Sequence, residues 1–142
     1  MIFALPSRTI ICFTVAAISL APFVGCGGAD SGPTRYQMTG QVNYAGKPVP
    51  KGTVTFEPDT TKGNSGPGSG AAIENGRYDT GTENGPVAGP HTVRIVGYDG
   101  IPASMEGESM PDGKSLFAPY EGTFDVPKES SEKDFDIPKS GP

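Results

Sequence analysis

The chain has 142 residues, and its 16 acidic side chains outnumber its 11 lysines and arginines to give a net charge of −5. Nucleic-acid phosphates and anionic lipid headgroups repel an acidic protein, so this charge argues against both as partners. The chain contains one histidine and two cysteines. Zinc takes three or four His, Cys, Asp or Glu ligands, and neither cysteine remains as a free thiol in the mature protein predicted below, so we predict no zinc site and no cofactor.

The first segment of the chain predicts export. Arg8 precedes an uncharged apolar run over residues 9–21, which Pro22 interrupts. A membrane-spanning helix needs about 20 apolar residues, so this run is too short to span and is typical of a signal peptide. We therefore expect residues 1–25 to be removed.

A lipid attachment site is predicted directly after that segment. Residues 23–26, Phe-Val-Gly-Cys, resemble the lipobox of bacterial lipoproteins, with Phe23 where leucine is usual. The resemblance implies that Cys26 carries diacylglycerol and becomes the first residue of the mature protein. Cys12 lies in the discarded segment, so Cys26 is the only remaining thiol and no internal disulfide can form. An ordinary secretory signal with a chance cysteine is the alternative.

Cleavage before Cys26 leaves 117 residues, the length of one ordinary domain. The loss of Arg8 leaves 10 basic and 16 acidic side chains, a net charge of −6. Residues 26–34 contain three glycines and no large apolar side chain, and they predict a flexible tether, of which eight residues have a root-mean-square reach of about 16 Å. Residues 35–138 form the predicted domain, and residues 139–142 form a tail. The predicted location is the periplasmic face of a membrane or the cell surface.

Apolar and polar side chains alternate through most of the mature chain. This alternation predicts strands over residues 36–44, 52–57, 71–74, 77–80, 91–98, 122–126 and 133–137. Asn75-Gly76 predicts a type I′ hairpin turn, and residues 91–98 predict a central strand. Residues 99–119 show neither strand nor helix periodicity, and a loop of that length is either functional or loosely ordered. Seven short strands between Gly/Pro turns predict an all-β, seven-stranded antiparallel β-sandwich.

Several of these segments also carry a family resemblance. Residues 40–56, GQVNYAGKPVPKGTVTF, look like the opening of transthyretin-like, carboxypeptidase regulatory-like domains. Residues 75–78, NGRY, and residues 89–95, GPHTVRI, are similar to the middle of such domains. Residues 135–137, FDI, resemble the closing strand of small lipoproteins built from one such domain. The resemblance implies a transthyretin-like sandwich of the prealbumin-like or Ig-like kind, and it implies little about activity.

Enzymatic chemistry has little support in the sequence. The hydroxyisourate hydrolases, one branch of the transthyretin-like fold, use paired histidines, an arginine and a C-terminal Tyr-Arg-Gly-Ser, whereas this chain has His91 alone and ends in Lys-Ser-Gly-Pro. A general base needs a nucleophile or proton within reach and a group to orient it, and no such partner for His91 is signalled. We expect His91 to be structural or solvent-facing, predict no catalytic residue, and expect a noncatalytic protein.

Two binding sites are weaker hypotheses. Asp99, Glu106, Glu108 and Asp112 lie in the long loop and are candidate calcium ligands, although their spacing fits no EF-hand and a solvated acidic loop is the alternative. The second hypothesis is a sugar-stacking platform of aromatic rings. Its candidates are Tyr78, Tyr98 and Tyr120. Tyrosines at strand spacing more often lie in the core or at its rim.

The function predicted from the sequence is a membrane-anchored lipoprotein of the cell envelope whose domain is a noncatalytic accessory or structural module. Its expected partners are the membrane, through the lipid on Cys26, and an envelope protein or polysaccharide. A protein-contact module predicts an exposed apolar patch or an uncovered strand edge. The alternative, a carbohydrate- or calcium-dependent adhesion module, predicts that the acidic loop or the tyrosines converge on one concave face. An enzyme would require His91 in a pocket with two further polar side chains.

Overall fold

The structure, a computed structural model, describes residues 32–139. The predicted signal peptide, Cys26, residues 26–31 of the predicted tether and the last three residues of the chain lie outside this range. In the described range, no helix has the length and apolarity needed to cross a membrane.

Strands make up nearly all of the regular structure in this range. They are β1 Met38–Tyr44, β2 Lys47–Pro48, β3 Lys51–Pro58, β4 Ser69–Glu74, β5 Arg77–Asp79, β6 Gly89–Tyr98, β7 Ala103–Met105, β8 Glu108–Met110, β9 Tyr120–Val126, β10 Ser131–Glu132 and β11 Phe135–Ile137. The remaining element is a single 3-10 turn, Thr60–Lys62, which begins after Asp59. The prediction of an all-β chain is confirmed.

One curled sheet contains all of these strands except β7 and β8. Its order is β10-β1-β5-β4-β3-β6-β9, while β2 and β11 pair with β1. From β1 to β9, each strand is antiparallel to its neighbour. β6 pairs with β3 on one side and β9 on the other, which confirms the central strand predicted over residues 91–98.

Two tight turns set the register at one end of the sheet. Asn75 and Gly76 have φ angles of 50° and 76°, as a type I′ turn requires, so the predicted hairpin is confirmed. Ala45 and Gly46 adopt the same pair of angles, 50° and 76°, between β1 and β2. A Cβ on Gly76 would lie 2.5 Å from the Pro48 Cβ, so this glycine also lets the two turns pack together.

The curled sheet encloses one hydrophobic core. The core side chains are Met38, Val42, Val49, Val54, Phe56, Ala71, Ile73, Tyr78, Val93, Ile95, Val126, Phe135 and Ile137. The Phe56 ring lies 6.1 Å from the Tyr78 ring and 6.5 Å from the Phe135 ring, a spacing favourable for aromatic pairs. Val54 and Phe56 of β3 and Phe135 and Ile137 of β11 all belong to this core, because period-two alternation directs every second side chain of a strand to the same face.

The closing strands differ from the purely antiparallel arrangement that the sequence predicts. β10 and β11 run parallel to β1. After β9, the chain reverses its direction over residues 127–130. β10 and β11 therefore run in the same direction as β1, along the edge of β1 that faces away from β5. Alternation identifies the buried face of a strand but carries no information on its direction relative to a distant neighbour.

The number of strands also differs, with eleven in the described range where seven were predicted. The added ones are the two-residue strands β2 and β10 and the hairpin of β7 and β8 within residues 99–119. These four strands have two or three residues each, and the sequence around them shows no run of alternation long enough to indicate a strand.

Candidate functional site

The edge strand β9 is the principal candidate for a binding surface. It pairs with β6 from Gly89↔Val126 to Ile95↔Tyr120. The Asp59 N–H donates to the Pro90 carbonyl at 2.9 Å, so the carbonyl of Pro90 points toward β3. The N–H and C=O groups of successive strand residues point to opposite sides. Those of His91 and of every second residue after it therefore point toward β9.

This alternation also determines which groups of β9 are unpaired. The β9 residues that bond to β6 are Tyr120, Gly122 and Phe124. The N–H and C=O groups of Glu121, Thr123 and Asp125 therefore point away from the sheet, and within residues 32–139 no backbone group bonds to them. The side chains of these three residues are exposed. β9 is thus an uncovered strand edge, the feature predicted for a protein-contact module.

The opposite end of the sheet curls back toward this edge. The ammonium nitrogen of Lys133 lies 5.6 Å from the ring centroid of Phe124 on β9 and 5.6 Å from that of Phe135 on β11. The Lys133 N–H donates to the Thr39 carbonyl at 2.8 Å, which fixes the lysine beside β1. We call the gap between β9 and residues 131–137 the seam. One lysine side chain bridges it through cation–π contacts with both aromatic rings.

A second candidate is a polar concavity of about 730 Å³ on the outer face of β1, β4 and β5. Its lining includes Thr39, Arg77, Asp79 and Glu132. Asp79 accepts hydrogen bonds from the Gln37 side chain at 2.8 Å and from the Gly81 N–H at 2.7 Å. These two bonds, in that order, hold the pKa of Asp79 below its usual range. The concavity offers charged and hydroxyl groups but no exposed aromatic ring.

The three candidate tyrosines do not converge on one face. Tyr78 is buried in the core, and its hydroxyl donates to the Lys133 carbonyl at 2.8 Å. Tyr120 is half-buried and packs against the core. Tyr98 lines a separate shallow depression with Lys51 and Asp112. The arrangement therefore gives no support to a stacking platform. Tyr78 lies in the core and Tyr120 at its rim, as expected for tyrosines at strand spacing.

The acidic loop is ordered by its own backbone. The Asp99 carboxylate accepts hydrogen bonds from the Ile101 and Lys114 N–H groups, each at 3.0 Å. Glu106 lies at the turn between β7 and β8, with φ of 51°, and Glu108 begins β8. Asp112 lines the depression that Lys51 and Tyr98 share. In the part of the chain that the structure describes, no three His, Cys, Asp or Glu side chains come together as a metal site. Asp99 instead fixes the base of the β7–β8 hairpin.

No family model, curated protein or solved structure matches this chain. The candidate functional site therefore rests on geometry alone.

His91 lies inside the protein. Its side chain is fully buried, Nδ1 lies 2.8 Å from the Gly89 carbonyl oxygen, and Asn64 Nδ2 is 3.4 Å from the same nitrogen. Nε2 is buried without a hydrogen-bond partner in the described structure. A substrate cannot reach a fully buried ring. Of the two roles predicted for His91, structural and solvent-facing, its burial supports the structural one.

Local sequence pattern does not mark Glu121, Thr123 or Asp125 as binding residues, because it gives them only as the polar face of a strand. Their backbone groups are exposed because β9 is last in the order of the sheet, and strand order is set by contacts across the whole chain. The one local signal is the pair of acidic side chains on one face of β9, a pattern that proteins use to protect exposed edges.

Proposed function

We propose that this protein is an exported lipoprotein, anchored through Cys26, whose β-sandwich binds another cell-envelope protein by strand addition at the β9 edge. The observation that carries the proposal is the row of unpaired N–H and C=O groups on Glu121, Thr123 and Asp125. An extended segment that pairs with such a row gains main-chain hydrogen bonds along its length. The domain is noncatalytic in this proposal, and its fold is a transthyretin-like, carboxypeptidase regulatory-like sandwich.

The anchor and the edge act together in this function. The tether over residues 26–34 places the domain at a root-mean-square distance of about 16 Å from the headgroups. A partner in the same membrane or in the adjacent envelope layer then meets the edge at a high effective concentration, which compensates for a modest affinity of the strand itself.

Cross-linking on intact cells tests the proposal through one pair of variants. In Thr123→Pro, the proline removes an N–H that points away from the sheet and obstructs an incoming strand, whereas β6 keeps its hydrogen bonds because they come from Tyr120, Gly122 and Phe124. Thr123→Ala shortens the same side chain and retains the N–H. We expect Thr123→Ala to cross-link to the same partner as the wild type and Thr123→Pro to lose it.

Circular dichroism and thermal unfolding of both variants establish that each is folded. Equal cross-linking by the two folded variants would show that the edge is not the contact surface. Recovery of the protein alone, without any partner, would also count against a protein-contact function.

A polysaccharide-binding function is the second candidate, and the polar concavity favours it. Thr39, Arg77, Asp79 and Glu132 present hydrogen-bond donors and acceptors on one concave face, as hydroxylated ligands require. Calorimetric titration of the mature protein with envelope polysaccharide tests it. Heat that disappears in Asp79→Ala supports the concavity as the site, and no heat with the wild type rejects it.

A further inference from the structure

The shape and charge of β9 indicate which kind of strand fits beside it. We infer that the β9 edge selects an extended peptide segment with two basic residues four positions apart and an apolar residue next to one of them. This inference rests on the proposed strand addition and specifies the chemistry of the partner.

The basic positions follow from the outward face of β9. Glu121 and Asp125 are exposed and four residues apart on that face. Residues directly opposite each other across two strands have Cβ atoms about 5 Å apart, so opposite charges there attract and like charges repel. Glu121 pairs with Arg94, but both side chains are about half exposed, at 55% and 54%, and such a surface pair is weak enough to yield. Within residues 32–139, Asp125 forms no ion pair.

The apolar position follows from the inward face. Gly122 lies between Tyr120 and Phe124 on that face and has no side chain of its own. A Cβ at Gly122 would lie 2.8 Å from the Tyr120 hydroxyl, so the tyrosine side chain already covers this glycine. The half-buried ring of Phe124 is the apolar surface that this face offers to a neighbouring strand. The residue opposite Phe124 is adjacent to the residue opposite Asp125, which places an apolar side chain next to a basic one.

Lys133 disfavours basic residues of the partner on the inward face of β9. Its ammonium group lies 5.6 Å from the Phe124 ring, so a lysine or arginine opposite Phe124 would meet a like charge. An apolar side chain there meets the ring and the methylene stem of Lys133 instead. The charges of the partner are therefore confined to the outward face.

The same charges exclude a second copy of this chain as the occupant. Two β9 edges paired antiparallel about Thr123 would place Glu121 of each copy opposite Asp125 of the other. Like charges directly opposite each other destabilise a strand pair, and this arrangement creates two such pairs. A basic segment of a different protein can pair with this edge without like charges opposite each other, whereas a second copy of this chain cannot.

Two ten-residue peptides test the inference by fluorescence anisotropy with the detergent-solubilised mature protein. The first carries the core Lys-Val-Thr-Phe-Lys, and the second replaces both lysines with glutamate. We expect the lysine peptide to bind at least tenfold more tightly and to lose affinity as salt is added, because exposed charges are screened. Glu121→Lys/Asp125→Lys should reverse the preference. Equal binding of both peptides, no binding of either, or an unreversed preference in the double variant would overturn the inference.

The Thr123 variants separate this failure from failure of the proposed function. If charge has no effect but Thr123→Pro still abolishes binding that Thr123→Ala retains, the stated chemistry is wrong and strand addition stands. If the lysine peptide binds Thr123→Pro and Thr123→Ala equally, the contact is not at the edge, and both proposals fail.

Discussion

Tyr78 shows how one side chain joins the core to the closing strands. Its ring lies 6.1 Å from both Phe56 and Phe135, and its hydroxyl donates to the Lys133 carbonyl at 2.8 Å. Burial chiefly, with the nearby carboxylates of Asp134 and Glu132, raises the pKa of Tyr78 far above its usual range. The folded protein therefore keeps this hydroxyl protonated under conditions in which the unfolded chain ionises it.

The raised pKa of Tyr78 predicts alkaline destabilisation. The unfolded tyrosine loses its proton near pH 10, so above that pH the folded state binds more protons and the free energy of unfolding falls as pH rises. Tyr78→Phe should cost about 1–2 kcal/mol at pH 7, through the lost hydrogen bond, and flatten this fall. Urea unfolding between pH 8 and 11 measures both effects. A slope in Tyr78→Phe equal to that of the wild type would contradict the assignment.

His91 predicts a different pattern, because its ring fills space while one nitrogen lacks a partner. His91→Ala should lower the free energy of unfolding by about 2–4 kcal/mol through the cavity it leaves. His91→Phe fills the same space with a somewhat larger ring, loses the bond to the Gly89 carbonyl and removes the unpaired Nε2, so its cost should be smaller than that of His91→Ala. Chemical denaturation compares the two variants. Equal losses would show that the hydrogen bond matters more than the packing.

Among the elements, the closing strands depend most on a single close approach. A Cβ on Gly40 of β1 would lie 2.0 Å from the Lys133 carbonyl oxygen, and backbone cannot move aside as a flexible side chain can. The glycine therefore allows residues 131–137 to lie along β1, where the Lys133 N–H bonds to the Thr39 carbonyl.

Gly40→Ala should separate these strands. We expect a loss of about 1–3 kcal/mol in the free energy of unfolding, as for overpacked sites, and faster amide hydrogen exchange in β10 and β11 than in β3 and β6. Gly68→Ala is the matched control, since its Cβ would meet only the Phe56 carbonyl oxygen at an ordinary 3.5 Å. If amide exchange in β10 and β11 were as slow as in β3 and β6 in both variants, the contact at Gly40 would carry no strain.

The same elements show what the sequence could predict. Alternation located the long strands and their buried faces, and Asn75-Gly76 located a hairpin, because both signals are local. The β7–β8 hairpin is local, but its three-residue strands show no clear alternation. The parallel return of β11 and the exposed edge of β9 depend on contacts between distant segments, and no short window of sequence contains them. The candidate functional site was missed for this reason, whereas the condition for it, an uncovered edge, was predicted.

At the scale of the whole molecule, the proposed membrane attachment depends on one residue. Removal of residues 1–25 would leave a net charge of −6, which makes electrostatic attraction to anionic lipid unfavourable. The lipid proposed on Cys26 would supply the affinity instead, at about 0.8 kcal/mol per buried methylene. Several acyl chains on one residue would hold the protein firmly, and salt cannot screen this hydrophobic contribution.

Cys26→Ser should therefore move the protein from the membrane fraction to the soluble fraction, whereas the wild type should stay in the membrane fraction after a wash with concentrated salt. Cys12→Ser is the matched control, because it changes the chain's other cysteine within the segment predicted to be removed, and it should remain anchored. Fractionation with immunoblotting measures the distribution, and mass spectrometry of the mature N-terminus detects the acyl chains. A Cys26→Ser protein that stays in the salt-washed membrane would require another anchor. Release of the Cys12→Ser protein would mean that the lipid is attached to Cys12 and not to Cys26.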